Sequence, residues 1–276
     1  MINSYRCIFF SRGGIITKLS LRLLSLVIIS CIFVFGCTPD HPQSTFNVAG
    51  PVAASQLTLF YWIFAVAVFV FIVVVGILLW AVFKYRRKLG DKDPVQIHGN
   101  TKLEIAWTLL PAIILVFVAV PTVITIFDNA NSPCTYEEGC LEVTVEAVQW
   151  FWNFKYKDPS NPNLEVNTSN EMHIPVGEVV NIKLTSRDVL HSFWIPNIAG
   201  KLDIVPNHTN TLWIQSDIEG EFYAQCAEFC GIAHALMSFR VYADSRDDFN
   251  KWMKLQASEA LIPVEPLALE GKKLFE

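Results

Sequence analysis

Two long runs of apolar residues constrain the fold of this chain more than any other feature. Residues 57–83 and residues 105–127 are 27 and 23 positions long, and neither run contains a charged side chain. Each exceeds the roughly 20 residues that an α-helix needs to cross the hydrocarbon core of a bilayer. The second run contains Pro111 and Pro121, which membrane helices tolerate when neighbouring groups satisfy the freed carbonyls. The runs therefore predict two transmembrane helices.

The segment between the two runs, residues 84–104, sets the orientation of the predicted hairpin. Basic loops of membrane proteins stay on the cytoplasmic side. The hairpin therefore places residues 37–56 and the whole chain from residue 128 on the outer side of the membrane. The basic side chains that carry this argument directly follow the first run, at Lys84, Arg86, Arg87 and Lys88.

Residues 1–36 have the pattern of a signal peptide. Basic side chains accompany an apolar run over residues 23–35, which is short for a membrane helix but typical of the hydrophobic region of a signal. The run ends at Gly36-Cys37, which resembles a bacterial lipobox, where the peptide is cut before the cysteine and the thiol receives a lipid. The alternative is an uncleaved signal anchor with an incidental cysteine. We expect lipidation of Cys37.

From Glu142 the sequence changes to short strand-like runs separated by turn residues. Several short runs of this kind predict an all-β sandwich or barrel over residues 128–256. Residues 247–256 have the pattern of a short closing helix, and residues 257–276 form a tail. The clearest strand-like runs are residues 143–145, 150–154, 179–185, 211–215, 221–225 and 238–242.

The two halves of the chain differ in charge. Residues 128–276 contain 22 acidic and 11 basic side chains, a net charge of −11, whereas residues 1–127 contain 4 acids and 10 bases, a net charge of +6. An acidic outer half favours a basic protein partner and disfavours nucleic acid, whose phosphates it would repel. The alternative is that the acidic surface only keeps the domain soluble.

The segment from Cys226 to Met237 carries the clearest chemical signal. It places two thiols, an imidazole and a thioether within twelve residues, in the spacing C-x3-C-x3-H-x2-M. Such soft donors favour copper over magnesium, calcium or manganese. Two thiolates can bridge two copper ions, each with one histidine, and the histidine that this segment lacks is supplied by Asp188-Val-Leu-His191, on a turn after a strand. The predicted ligands are His191, Cys226, Cys230, His234, Met237 and the backbone carbonyl of Glu228.

Other functions of the cysteines stay open at this point. Cys226 and Cys230 could form a disulfide, as exported cysteine pairs usually do, but His234 and Met237 would then have no explanation. Zinc could bind two cysteines and two histidines, although a methionine adds nothing for zinc. A copper chaperone or a thiol–disulfide protein would use the same two cysteines. Cys134 and Cys140, just after the second apolar run, are either a small disulfide or two free thiols.

Several separate motifs resemble subunit II of haem–copper cytochrome c oxidase, over about residues 50–256. They are residues 98–111, which contain His98-Gly-Asn, the aromatic residues 149–152, and the two ligand segments 188–196 and 226–237. The resemblance implies a cupredoxin-like Greek-key domain on a two-helix hairpin, in a bacterial cell membrane, with the copper domain on the periplasmic or outer side. It also implies electron transfer from cytochrome c, through a binuclear copper centre, to haem in subunit I, where a proton-pumping translocase reduces oxygen to water.

The same resemblance implies roles for individual residues. Trp150 would receive electrons from cytochrome c, and Asp188 would be a docking acid. The side chain of Glu228 would bind a magnesium ion shared with subunit I, and Glu104 would lie at the cytoplasmic mouth of a proton channel. Taken alone, Glu104 is an ordinary carboxylate at a helix start, and Trp150 is an ordinary core or interface aromatic.

The chain departs from the family pattern in a few places. Asn207 follows Pro206 where the family commonly has glycine. Residues 268–275 resemble the first helix of a fused cytochrome c domain, but no C-x2-C-H haem motif follows them. The segment is either only a tail or the start of a shortened cytochrome c fusion. We expect haem only in partner subunits, with cytochrome c or a fused or tethered haem c domain as donor. Quinol oxidase subunit II shares the hairpin and the β domain but lacks the copper ligands, all of which are present here.

Overall fold

The computed structural model describes residues 24–25, 41–88, 90–96, 98–259 and 263–275. The predicted signal peptide, apart from residues 24–25, and the predicted lipidation site Cys37 lie outside the described residues. The chain divides into two units, residues 1–41 and residues 42–276. All elements named below belong to the second unit.

Two long helices precede the β domain and contact each other: α1 (Pro51–Lys84) and α2 (Thr101–Ala130). Both are long and apolar enough to cross a membrane. Helix α1 begins with a proline, whose missing N–H costs nothing in the first turn. At the start of α2, the side chain of Asn100 accepts hydrogen bonds from the N–H groups of Lys102 and Leu103, at 3.1 and 3.3 Å. Pro111 and Pro121 both lie within α2.

The β domain contains two five-stranded sheets. The first sheet has the strand order β3-β2-β1-β5-β8 and the second has the order β4-β10-β9-β6-β7. The pairs β1–β5 and β4–β10 are parallel, and the other pairs are antiparallel. The strands are β1 (Leu141–Val148), β2 (Phe151–Lys157), β3 (Val166–Ser169), β4 (Glu171–Pro175), β5 (Val180–Ser186), β6 (His191–Trp194), β7 (Leu202–Ile204), β8 (Asn210–Ile214), β9 (Gly220–Cys226) and β10 (Ser238–Asp244).

The core lies between the two sheets. In β1 and β2 every second side chain is buried, as expected for strands with one face toward a core and one toward solvent. The rings of Trp152, Phe154 and Phe193 all contact Phe239, with centroid distances of 5.0 to 5.3 Å. Each such fully buried side chain contributes roughly 1.5–3 kcal/mol. This aromatic cluster lies directly beneath the ligand loops described below.

The start of helix α1 is bonded to the β domain. The N–H groups of Ala49 and Ala53 donate to the carbonyls of Asn197 and Ile198, at 2.7 and 3.2 Å. Gly50 packs so closely on β8 and the loop after it that a Cβ at this position would overlap the carbonyl oxygen of Gln215. Glycine is therefore required here by the close approach of two backbones.

The chain ends in two further helices, α3 (Arg246–Gln256) and α4 (Pro266–Phe275). The Ser245 side chain caps α3, and Phe249 and Met253 bury the apolar face of this helix against the β domain. The prediction of a two-helix hairpin followed by an all-β, cupredoxin-like domain is confirmed. The short strands β3, β4, β6 and β7 were not predicted, because runs of three to five residues carry little periodicity.

Candidate metal centre

Neighbouring strands β6 and β9 bring the two predicted ligand segments together. Phe193 in β6 pairs with Cys226 at the end of β9, and the N–H of Ala227 donates to the carbonyl of Ser192 at 3.0 Å. His191 is the first residue of β6 rather than part of a turn, so the sequence-based placement of this residue was wrong. The reason is that the consecutive residues Ser192 and Phe193 are both fully buried, so this strand lacks the alternation of apolar and polar residues by which strands are recognised in a sequence.

The loop after Cys226 folds back on itself. The N–H of Cys226 donates to the carbonyl of Met237 at 2.9 Å, which closes the loop at its two ends. A single 3-10 turn, His234–Leu236, turns His234 toward the cysteines. Gly231 has a φ of 119°, a backbone conformation that other residues rarely adopt. The loop thus places Cys230, His234 and Met237 beside Cys226.

The sulfur and nitrogen atoms of the predicted ligands face one another. The two cysteine sulfurs are 3.8 Å apart. The Sγ atom of Cys226 is 3.9 Å from Nδ1 of His191, and the Sγ atom of Cys230 is 3.6 Å from Nδ1 of His234. The thioether of Met237 lies 3.6 Å from Cys230 Sγ. Among the described residues, His191, Cys226 and Cys230 form a buried group whose ligand atoms all lie within 4.8 Å of one another.

These distances fit a metal better than a disulfide. Both thiols are free and buried, and their separation of 3.8 Å is far from the roughly 2.05 Å of a sulfur–sulfur bond. Metal–thiolate bonds of about 2.3 Å can reach a common ion from both sulfurs across such a gap. The buried thioether beside Cys230 adds a soft donor, which favours copper over zinc.

The two thiols differ in acidity. Burial raises the pKa of Cys226, but hydrogen bonds from His191 and from the backbone around it outweigh burial, and the net pKa is lowered. Burial, together with the charge of Cys226, raises the pKa of Cys230. Cys226 therefore loses its proton readily, and the resulting negative charge opposes ionisation of Cys230. A bound cation would remove this opposition, because it stabilises both negative charges.

Asp188 and Gln149 support the ligands from outside. Asp188 Oδ1 lies 2.9 Å from Nε2 of His191, and Asp188 Oδ2 accepts the N–H of Gln149 at 2.7 Å. The side-chain amide of Gln149 donates to the carbonyl of Cys230 at 2.7 Å. No role was predicted for Gln149, although it stands at the start of the aromatic motif. Its position next to Trp150 was the feature of the sequence that could have indicated a role for Gln149 at the site.

Two further residues for which roles were predicted, Trp150 and Glu228, also lie at the site. Trp150 is 38% exposed, and its indole N–H donates to the carbonyl of Cys230 at 3.1 Å. The peptide bond between Gln149 and Trp150 is cis. The carbonyl of Glu228 accepts the thiol of Cys226 at 3.2 Å, so this predicted weak donor faces a ligand.

Other predicted residues lie away from the centre. Glu104 is exposed in the first turn of α2, where its carboxylate folds back toward Gly99. Cys134 and Cys140 form a disulfide, with their Cα atoms 6.0 Å apart, in the loop between α2 and β1. Asn207 has a φ of 62°, in the left-handed region where glycine is favoured and asparagine is tolerated.

The fold and the site define a membrane-anchored subunit whose β domain carries a candidate copper centre. The chain matches two domain families. Residues 39–124 match the transmembrane domain of cytochrome c oxidase subunit II, and residues 160–243 match the periplasmic domain of that subunit. The chain belongs to the cytochrome c oxidase subunit II family. It is therefore a partner of other oxidase subunits.

The individual proteins to which the chain is similar include subunits of both cytochrome c oxidases and quinol oxidases. Cytochrome c oxidase subunit 2 of Alkalihalophilus pseudofirmus is 38% identical over 94% of this chain and 75% of the relative. The same subunit of Bacillus sp. (strain PS3) is 36% identical over 92% and 73%. Quinol oxidase subunit 2 of Bacillus cereus is 31% identical over 84% and 79%. The solved periplasmic domain of subunit II from Bradyrhizobium japonicum covers 43% of this chain and 94% of its own length, at 28% identity and a TM-score of 0.40.

Proposed function

We propose that the chain accepts electrons from a cytochrome c at a centre of two copper ions and passes them to haem in subunit I. Oxygen would be reduced to water there, with proton pumping by the complex. The observation that carries this proposal is that each buried thiol has its own imidazole: His191 faces Cys226, and His234 faces Cys230. A single blue-copper site uses one thiolate. A second thiolate with its own histidine fits a second metal.

The residues present fit such a centre. Cys226, Cys230, His191 and His234 would hold the two ions. Met237 and the carbonyl of Glu228 would be weak donors. When bound, the copper pair would share one electron over both metals. The protein would keep the donor atoms in place through the closed loop and the aromatic cluster beneath it, so that little has to move when the charge changes.

Trp150 is proposed as the residue through which electrons reach the centre. It is partly exposed, so a protein donor can contact it, and its indole donates to the carbonyl of the ligand Cys230. The net charge of −11 over residues 128–276 favours a basic donor protein. Asp188 is proposed to contribute to this docking surface as well as to hold His191.

Further roles concern the rest of the complex. The carboxylate of Glu228 is proposed to bind a magnesium ion together with subunit I, since its own carbonyl already faces the copper ligands. Glu104, exposed at the start of α2, is proposed to lie at the mouth of a proton channel on the cytoplasmic side. Both proposals place this chain at contacts with the large subunit.

The location of the chain is proposed from its topology. The basic segment after α1 favours the cytoplasmic side of a bacterial cell membrane, so the copper domain would be on the periplasmic or outer side. Cys37 is proposed to carry a lipid. Mass spectrometry of the mature N-terminus would test this, and a protein that retains Met1 would refute it.

Metal analysis combined with electron paramagnetic resonance tests the proposed centre. The full chain, purified from the membrane, should contain two copper ions and give a spectrum of one electron delocalised over both. His191→Ala should abolish this spectrum. His208→Ala, which removes an exposed histidine between β7 and β8, should leave it unchanged. A one-copper spectrum from the unaltered chain would contradict the proposal.

The same measurement separates the alternatives. A subunit that serves a quinol oxidase should bind no copper at this site, and the 31% identity to such a subunit makes that comparison necessary. A copper chaperone or thiol–disulfide protein should bind a single copper loosely and cycle its two cysteines. The buried position of both thiols opposes such cycling, because an exchange partner must reach the sulfur.

A further inference from the structure

A pocket of about 480 Å³ lies where helix α2 meets the first sheet. Its floor is one row of side chains across the outer face of four strands, set by the register Lys157↔Glu142, Glu142↔Asn181 and Asn181↔Trp213. Its volume falls in the range of about 300–1,000 Å³ that is usual for small-molecule sites. Nothing in the proposed electron-transfer function uses this pocket.

The loop closed by the Cys134–Cys140 disulfide forms the roof of the pocket. The side-chain amide of Asn181 donates to the carbonyl of Cys134 at 2.9 Å, which holds the loop over the sheet. Tyr136 in this loop lies under the ammonium group of Lys157, 4.0 Å from the ring centroid. The end of α2, at Ala130 and Asn131, forms the wall.

This wall places the pocket at the level of lipid headgroups. The apolar run of α2 ends at Phe127, and a helix rises about 1.5 Å per residue, so Asn131 lies about 6 Å beyond it. The polar layer on each side of a bilayer is half the difference between about 40–45 Å and about 30 Å, or about 5–8 Å. Trp213 and Tyr136, which line the pocket, are of the residue types enriched at this depth.

The lining carries both signs of charge in equal number. Glu137, Glu142, Lys157 and Lys183 are its charged residues, and Glu142 pairs with Lys183 at 2.8 Å. Because the positive and negative charges of the lining are equal and residues 128–276 have a net charge of −11, the pocket does not favour an anionic lipid. Its lysines can bind a phosphate, and its carboxylates can bind an amine. The indole N–H of Trp213 is buried without a hydrogen-bond acceptor in the part of the chain that the structure describes.

We propose that this pocket binds the headgroup of a zwitterionic phospholipid with a primary amine, phosphatidylethanolamine, in the outer leaflet. Lys157 would bind the phosphate, and Glu137 on the roof loop would bind the ammonium group. A choline headgroup fits less well, because quaternary ammonium groups prefer open aromatic faces. Here the ring of Tyr136 is already covered by Lys157.

Native mass spectrometry of the purified oxidase complex tests this proposal. The complex is stripped of lipid and then supplied with phosphatidylethanolamine, phosphatidylcholine, phosphatidylglycerol or soluble phosphoethanolamine. We expect Lys157→Gln to weaken one phosphatidylethanolamine site by about tenfold, the size of effect expected when a charged hydrogen bond is lost. Lys155→Gln is the matched control, since Lys155 lies on the same face of β2 but does not line the pocket.

Glu137→Gln tests the proposed ammonium contact independently of Lys157→Gln. Glu137 is exposed on a surface loop, so its loss leaves the fold intact, and the preference for phosphatidylethanolamine over phosphatidylcholine should disappear. An unchanged lipid count in Lys157→Gln would overturn the proposal, as would equal binding of phosphatidylglycerol or equal binding of soluble phosphoethanolamine. Because these readouts do not involve copper, their failure leaves the electron-transfer proposal untouched.

Discussion

The carboxylate of Asp188 fixes the ring of His191: its Oδ1 atom lies 2.9 Å from Nε2, and the opposite ring nitrogen, Nδ1, faces Cys226. The other oxygen of the same carboxylate accepts the N–H of Gln149, the residue before Trp150. A single side chain therefore contacts both a candidate metal ligand and the residue that precedes Trp150, the residue proposed to receive electrons.

Asp188→Asn should weaken copper binding, because an amide group cannot accept both of these hydrogen bonds. Loss of such outer contacts typically costs about 10–100-fold in metal affinity. Copper retention against a chelator would measure this. Glu165→Gln removes one acid from the loop before β3 and controls for the change in net charge. Equal retention in Asp188→Asn and the unaltered chain would contradict the positioning role.

Protonation of Asp188 should also lower the stability of the copper-free chain as the pH falls. Burial raises its pKa, but the hydrogen bonds from Gln149, His191 and Val189 lower it, and the net pKa is below the ordinary value. A depressed pKa means that the stabilisation is present above the unfolded value of about 3.9 and is lost as pH falls through the folded value. Urea unfolding followed by tryptophan fluorescence should show a shallower acid loss in Asp188→Asn.

Trp150→Phe should slow electron transfer from cytochrome c while the copper spectrum stays the same. The change removes the indole N–H that donates to Cys230, at a stability cost of about 1 kcal/mol, and keeps an aromatic ring. Stopped-flow reduction of the copper site measures the rate. Phe151→Leu, at the adjacent and equally exposed aromatic, is the control and should have little effect.

The rate of the same reaction should fall as salt is added. Residues 128–276 carry a net charge of −11, and attraction to a basic donor is screened over about 10 Å at 0.1 M ionic strength. A rate that does not respond to ionic strength would argue against an acidic docking surface.

Gly50→Ala should destabilise the β domain by about 1–3 kcal/mol, since the added methyl group has to displace backbone. Gly76→Ala, inside helix α1, is the control, because a Cβ there meets nothing within 4 Å. Thermal unfolding of the full chain in detergent compares the two variants, and similar midpoints would contradict the close contact at Gly50.

The sequence predicted the helices, and the predicted ligands from Cys226 to Met237 lie close together, because both features depend on composition and spacing within one segment. The apolar runs lie within α1 and α2, and the ligands of the loop from Cys226 to Met237 lie side by side. The strand that carries His191 was missed, since its buried residues show no alternation. The role of Gln149 was also out of reach, because it depends on a contact with Cys230 across 81 positions of sequence.

Asn207 shows how a local departure can be resolved by geometry. The family commonly has glycine at this position, and the backbone here is left-handed, with a φ of 62°. Asparagine is one of the few other residues that adopt this conformation at low cost. The substitution therefore preserves the turn.

The bonds between Ala49, Ala53 and the residues after β6 have a mechanical consequence. The membrane helix and the strand that begins with His191 are joined through the short loop at Asn197 and Ile198. These two hydrogen bonds therefore restrain rotation of the β domain about the start of α1, where a flexible linker would leave the domain free to turn. A donor protein would therefore meet the candidate metal centre in a restricted range of orientations.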